Sequence, residues 1–175
     1  QNNFLSVPLF LNENLWGAIT IERFNNHGYT NRDRSLLSLI ARAMETSMSW
    51  YIEYKNIYED AIRDGLTGLL NHKTFIDRAQ EEIERARRFQ HQLVFLIYDL
   101  DKFKRINDTL GHPYGDYVIK TTAKIIKDNV RSIDLVARYG GEEFTVVLVN
   151  TNKEAATTVA KRIVQNIQDY NFSMN

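Results

Sequence analysis

Arg138-Tyr139-Gly140-Gly141-Glu142-Glu143-Phe144 lies between two apolar, β-branched segments, Leu135-Val136-Ala137 and Thr145-Val146-Val147-Leu148-Val149. Two strand-like runs joined across Gly-Gly read as a β-hairpin, because a tight turn needs positive φ and glycine supplies it without steric cost. Side chains alternate along a strand, so Glu142 and Glu143 should face opposite ways, one towards a site and one away. A hairpin tip with two carboxylates and no bulk on the turn suits a metal-dependent site where phosphate groups approach the backbone. Alone, the same tip would read equally well as a solvated acidic turn.

Working back from the hairpin, Leu93-Val94-Phe95-Leu96-Ile97-Tyr98 is a continuous apolar run that predicts a strand buried on both faces. It ends in Asp99-Leu100-Asp101, and acids at a strand's carboxyl end are an ordinary way for an α/β sheet to present ligands. Residues 102–108 read as a short helix and Gly111-His112-Pro113-Tyr114-Gly115-Asp116 as a polar turn. Helices are predicted over 73–90, 116–130 and 153–169 from their apolar faces. His72 and His91, flanking the first of these, read as exposed. From residue 64 the order is helix, strand, helix, helix, hairpin, helix, an α/β sandwich.

The N-terminal part is of another kind. Residues 4–11 and 15–23 are strand-like around the turn Asn12-Glu13-Asn14, and a lone hairpin is marginal in water, so it reads as the tail of a larger domain. Residues 24–30 form a loop in which His27 is a plain loop histidine. Thr30 is placed to cap a helix with Asp33 in its first turn, and no Gly or Pro interrupts until Gly65. Leu37, Ile40, Met44, Ser47, Tyr51, Tyr54, Tyr58 and Ala61 fall at alternating steps of three and four, the seam of a parallel two-stranded coiled coil. The competing reading is a helix packed on its own domain.

Composition narrows the classes. The 175 residues are 43% hydrophobic and 25% charged, with 22 basic and 22 acidic side chains, so no global field draws the chain to nucleic acid or anionic lipid. No cysteine is present, which excludes disulfides and thiolate metal sites. No run approaches the ~18 apolar residues of a membrane span, and no signal peptide is visible. The chain opens Gln1-Asn2-Asn3, which reads as a fragment.

Three features then converge: a strand ending in Asp99, a turn presenting Glu142, and between them Asn107, His112 and Asp116. Oxygen-only acidic ligands favour Mg²⁺ or Mn²⁺ over zinc. Two carboxylates beside phosphate are the arrangement that two-metal phosphoryl and nucleotidyl transfer requires. Asn and Asp side chains match a purine edge, and an Asp accepting from N1 and N2 would select guanine.

Residues 64–175 resemble a GGDEF domain, the diguanylate cyclase family. The resemblance is carried by Asp64-Gly-Leu-Thr-Gly-Leu-Leu-Asn71, Asp99-Leu-Asp-Lys-Phe-Lys-Arg-Ile-Asn-Asp108, Gly111-His-Pro-Tyr-Gly-Asp116 and Arg138-Tyr-Gly-Gly-Glu-Glu-Phe144, in order and at the family's spacing. It implies a class III nucleotide-cyclase-like palm, an α/β sheet flanked by helices, here with an N-terminal β-hairpin remnant and a long linker helix. It also implies condensation of two GTP into cyclic di-GMP and two pyrophosphates, in the cytoplasm, by a homodimer joined through the linker helix, with two Mg²⁺ or Mn²⁺ ions per active site.

By the same resemblance Asp99, the Leu100 carbonyl and Glu142 would hold the metals. Glu142 would also accept the 3′-hydroxyl proton, with Glu143 in support and Lys104 near phosphate. Asn107 and Asp116 would hold guanine, and His112 would line the pocket. Arg131-Ser132-Ile133-Asp134 matches the family's inhibitory product site, with Arg131 and Asp134 as its residues; read alone it is a surface ion pair. Asp101 and Asp108 are read as structural. Residues 1–45 more loosely resemble the final hairpin and exit helix of a GAF sensory domain, through Tyr29-Thr30-x-x-Asp33-x-x-Leu36-Leu37, with residues 1–30 as its hairpin and residues 31–63 as the coiled-coil signalling helix.

Two departures from the family bear on this. His72-Lys73 stands where Arg-Arg is common. The chain also stops before the family's last strands and helix, roughly 40–50 residues, the size of a small subdomain. Two other activities remain open: a catalytically silent cyclic di-GMP-binding module, and a mixed GTP/ATP cyclic dinucleotide synthase, which in the family carries a smaller residue at the position of Asp116.

Overall fold

A computed structural model describes residues 3–24 and 28–173; His27 lies outside them. The chain divides into two compact units, Gln1–Glu59 and Asp60–Asn175.

In the first unit β1 (Asn3–Leu11) pairs antiparallel with β2 (Asn14–Arg23). Asn12 and Glu13 turn the chain with φ of +48° and +66°, the primed geometry that matches strand twist. Helix α1 (Asn31–Ile62) opens on a reciprocal cap. The Asp33 amide donates to the Thr30 hydroxyl, and the Thr30 amide donates to the Asp33 carboxylate.

Leu37 and Ala41 are the buried residues of α1, and the Phe10 amide donates to the Glu45 carboxylate at 2.6 Å. Leu37 therefore lies on the face turned to the unit's own core and leaves the expected seam. Ile40, Met44, Tyr51, Tyr54 and Tyr58 remain an exposed stripe. The cause is one register step: the buried face repeats at i, i+4 through 37, 41 and 45, and the stripe runs beside it.

In the second unit α2 (His72–Phe89) is capped by the Asn71 side chain, which accepts from the Thr74 amide at 2.9 Å. The Asn71 amide group also donates to the Ala61 carbonyl, tying the end of one helix to the start of the next. Strand β3 (Leu93–Asp99) follows, then α3 (Phe103–Leu110), α4 (His112–Asp128), β4 (Leu135–Arg138), β5 (Glu143–Val149) and α5 (Lys153–Gln168). The strands pair antiparallel in the order β3-β5-β4.

Alternation along β5 sends Phe144, Val146 and Leu148 into a core with Phe103, Ile119, Ile126 and Ile163. Val147 goes to the other face with Ala137, Leu70, Phe75 and Ala79. Helices thus cover both faces of the sheet, which is the expected α/β architecture.

Three expectations fail here. Neither Gly140 nor Gly141 takes the positive φ expected at the β4–β5 turn; among the described residues the positive-φ glycines are Gly68 and Gly111. Strand β3 is not buried on both faces, since Phe95 is 47% and Ile97 75% exposed. It is an edge strand, and the layer under α2 is built on Ala137 of β4 and Val147 of β5, with only Leu93 of β3 packed against it. The Gly111–Asp116 segment is not a turn but mostly the first turn of α4. Pro113 sits where a missing N–H costs nothing, and Gly111, at φ +83°, makes the corner between α3 and α4.

Candidate active site

The β4–β5 turn is closed by the Tyr139 amide donating to the Glu143 carbonyl at 2.8 Å. A Cβ on Gly140 would meet the Glu143 carboxylate at 2.7 Å, so the carboxylate folds back across the turn over the bare glycine. Register then decides which acid meets Asp99. Asp99 pairs with Glu143, while the Leu100 amide donates to the Glu142 carbonyl at 3.4 Å.

The end of β3 and both glutamates therefore form one locus, with Glu143 opposite Asp99 in the strand register and Glu142 joined to the end of β3 through the backbone. Like charges opposite each other across a sheet repel, and a cation relieves that repulsion. Among the described residues no three Asp, Glu or His side chains converge as a ready-made cage. The donors are Asp99, the two glutamates and the Leu100 carbonyl, which accepts from the Phe103 amide at 3.2 Å. All are hard oxygens, so they fit Mg²⁺ or Mn²⁺.

Arg138, to which the sequence reading assigned no role, holds the turn in place. Its Nε and Nη2 donate to the Gly141 carbonyl at 3.1 and 2.7 Å, and its Nη1 donates to the Asp64 carboxylate at 3.2 and 3.3 Å. Asp64 also accepts from the Thr67 amide and hydroxyl at 2.9 and 2.7 Å. Burial pushes the Asp64 carboxyl up, but the Thr67 bonds and the Arg138 guanidinium outweigh it and hold the group below the usual carboxylate range. The signal was present in the sequence as an Asp-x-x-Thr turn and an arginine beside Gly-Gly.

Asn107 and Asp116 are brought together by a glycine. A Cβ on Gly115 would overlap the Asn107 carboxamide oxygen and come within 3.0 Å of its Cγ and 3.2 Å of the Phe103 ring. The Asn107 side chain therefore lies on the bare backbone of α4, one residue from Asp116. Lys104, in the first turn of α3, and His112, at the start of α4, are exposed.

The Arg131–Asp134 pair is more built than a surface ion pair. The Asp134 side chain is 1% exposed. It accepts from the Arg131 amide, Nε and Nη2 and from the Val149 amide, at 2.9, 3.3, 3.1 and 3.0 Å. Arg131 Nη2 also reaches the Val149 carbonyl and the Thr151 hydroxyl. A cavity of about 380 Å³ beside the pair is lined in addition by Asn129 and Arg162, which the sequence reading did not single out. Arg162 donates to the Asn129 carbonyl at 2.7 Å.

Comparison with known proteins gives the family. The family described as "Diguanylate cyclase, GGDEF domain" matches residues 61–175. This chain belongs to the GGDEF family. The probable diguanylate cyclase DgcT of Escherichia coli is 32% identical to it over 94% of this chain and 40% of its own length.

Among solved structures, the coiled coil and GGDEF domain of DgcB from Caulobacter crescentus, in complex with c-di-GMP, superposes with a TM-score of 0.68 at 29% identity. That match covers 74% of this chain and 68% of that one. The active GGEEF domain of a Vibrio cholerae diguanylate cyclase gives 0.57 at 34% identity, over 58% and 65%. The GGDEF chain spans 20% to 44% of the length of the curated relatives DgcP of Pseudomonas aeruginosa and diguanylate cyclase A of Treponema denticola. Among the described residues no helix is long and apolar enough to cross a membrane.

Proposed function

We propose that this chain is the sensor-linked catalytic part of a diguanylate cyclase, which condenses two GTP into cyclic di-GMP with release of two pyrophosphates. The observation that supports it most is the register placing Asp99 against Glu143 with Glu142 on the adjoining turn. Asp99, the Leu100 carbonyl and Glu142 would hold two Mg²⁺ or Mn²⁺ ions, which would supply charge neutralisation and Lewis acidity at the triphosphate. Glu142 takes the 3′-hydroxyl proton, and Glu143, opposite Asp99 in register, supports the set. Lys104 approaches phosphate. Asn107 and Asp116 hold the guanine, and His112 lines the pocket. The presence of Asp116 speaks against a mixed GTP/ATP synthase.

One site binds one GTP and the ring needs two attacks, so two half-sites must face each other. The exposed stripe Ile40, Met44, Tyr51, Tyr54 and Tyr58 is the surface offered for a parallel homodimer through the linker helix. In this reading residues 1–30 end a GAF-like sensory domain, 31–63 are the signalling helix and 64–175 the cyclase, working in the cytoplasm where GTP is. Product inhibition uses Arg131 with Arg162, while Asp134, whose oxygens are occupied, orients Arg131.

Two tests apply to the full-length protein. With GTP and Mg²⁺, mass analysis should find cyclic di-GMP and pyrophosphate, and Glu142→Gln should lower turnover at least about hundredfold, the scale on which losing a transition-state group acts. Near-normal turnover in that variant would defeat the site. An Ile40→Glu, Met44→Glu double variant should sediment as a monomer and lose turnover with it. A wild type that binds cyclic di-GMP through the Arg131 and Arg162 cavity but makes none would favour the silent binding module.

A further inference from the structure

The β4–β5 turn has little of its own to hold it. Gly140 and Gly141 carry no side chains, and no neighbouring atom stands within 4 Å of where a Cβ on Gly141 would lie. The residues before the glycines must therefore fix the turn. Arg138 does so through the Gly141 carbonyl. Tyr139 does so through its amide, which donates to the Glu143 carbonyl at 2.8 Å. Two residues beyond Ala137, Tyr139 takes the same face, under α2. Its ring is 39% exposed, so the sheet alone does not pin it.

The anchor for that ring is the first turn of α2. The His72 imidazole lies 4.2 Å from the Tyr139 ring, centroid to centroid, with 60° between the planes. Phe75 stands edge-on to the same ring at 6.3 Å and 90°. Rings tilted in this way attract beyond the area they bury. Phe75 is 4% exposed and belongs to the layer between α2 and the sheet. His72 is exposed and outside that layer. The helix start does not need it either, because the Asn71 side chain caps α2. It stands where Arg-Arg is common in the family, so the ring is a feature of this chain. Asn71 places it: the Asn71 amide and side chain donate to the Ile62 and Ala61 carbonyls at 3.0 and 2.7 Å. The end of α1, the cap of α2, His72, Tyr139 and the turn are thus successive contacts.

We propose that His72 is a positioning residue for the reaction. Its ring pins Tyr139, and through the bond from the Tyr139 amide to the Glu143 carbonyl it sets where the two glutamates stand against the end of β3. A misplacement of about 1 Å at a reacting group can cost about hundredfold in rate, so a ring that steadies the turn acts on turnover and not on GTP affinity. The effect on turnover rests on the cyclase activity proposed above, whereas the effect on the turn does not.

The first readout is steady-state kinetics of the full-length protein with GTP and Mg²⁺. His72→Ala should lower kcat about tenfold, the upper worth of one aromatic pair, and leave the GTP KM within about twofold. His72→Phe, which keeps a ring, should bring kcat back to within about twofold of wild type. In a Tyr139→Leu background, His72→Ala should cost no more than about twofold further, because its partner ring is already gone. The second readout needs no activity. In ¹H–¹⁵N spectra of the full chain without nucleotide, the Gly140, Gly141 and Glu143 amides should shift in His72→Ala and return towards wild type in His72→Phe. Unchanged kcat in His72→Ala overturns the proposal. So does an equal loss in the Phe variant, a loss carried by KM alone, or an undiminished loss in the Tyr139→Leu background. Should wild type make no cyclic di-GMP, the proposed activity falls and the amide shifts decide alone: their absence in His72→Ala overturns the positioning role.

Discussion

The chain contains two antiparallel hairpins, and they differ in everything except their strand pairing. β1–β2 turns on Asn12 and Glu13 and leaves Phe4 72% and Leu15 68% exposed. β4–β5 turns on Gly140 and Gly141 and buries Phe144, Val146 and Val147 completely. A two-stranded hairpin is marginal by itself, so the layers around it set its rigidity. Each fully buried side chain contributes about 1.5–3 kcal/mol, against a cross-strand repulsion between Asp99 and Glu143 of about 0.2–1 kcal/mol. The buried β5 can therefore hold Glu143 opposite Asp99 of β3 against that repulsion, and that is the property a metal locus would use.

The largest test of this contrast is a pair of truncations. Phe144→Ala should cost about 3–5 kcal/mol, and Phe4→Ala should stay within about 0.5 kcal/mol, both by urea unfolding. Equal losses would erase the distinction between the hairpins.

The turn clamp comes next in size. Asp64→Asn should destabilise by about 1–2 kcal/mol at neutral pH. Its folded carboxyl lies below the unfolded value of 3.8, so its contribution is complete above that value and is lost as pH falls through the folded one. The gap between wild type and variant should accordingly close in acid. Asp33, in the other unit, is lowered chiefly by the Thr30 amide and hydroxyl, and its pH dependence has the same sign. Denaturation series at neutral and acid pH check both.

The smallest effect is expected at Tyr98. Burial pushes its phenol up to about 12, and its hydroxyl finds no partner among the described residues. Tyr98→Phe removes an unsatisfied polar atom and should be neutral or stabilising by up to about 1 kcal/mol. A clear loss of stability would show that the hydroxyl is bonded after all.

Much of the site was legible locally. Gly-Gly between β-branched runs predicts the hairpin, although neither glycine takes the positive φ behind that reading; an apolar run ending in Asp99 predicts the strand, and Thr30 marks a helix start, because each rests on a few adjacent residues. The Asp-x-x-Thr turn and the arginine beside Gly-Gly were each legible, but their joining as a clamp was not, because it links positions 74 apart. Arg162 escaped for the same reason, meeting Asn129 across 33 residues. The Gly111–Asp116 segment was misread because glycine and proline mark turns and helix starts alike, and only the packing of Gly115 on Asn107 chooses between them.

The sequence by itself determined the elements, their order and the residue types of the locus, since periodicity, turn chemistry and acid placement are written in short windows. Only the tertiary structure decided which glutamate stands opposite Asp99, which face of α1 is left open and that β3 is an edge. Those depend on register and on which layer reaches which strand, and a shift of one residue exchanges the two faces of a strand without changing its composition.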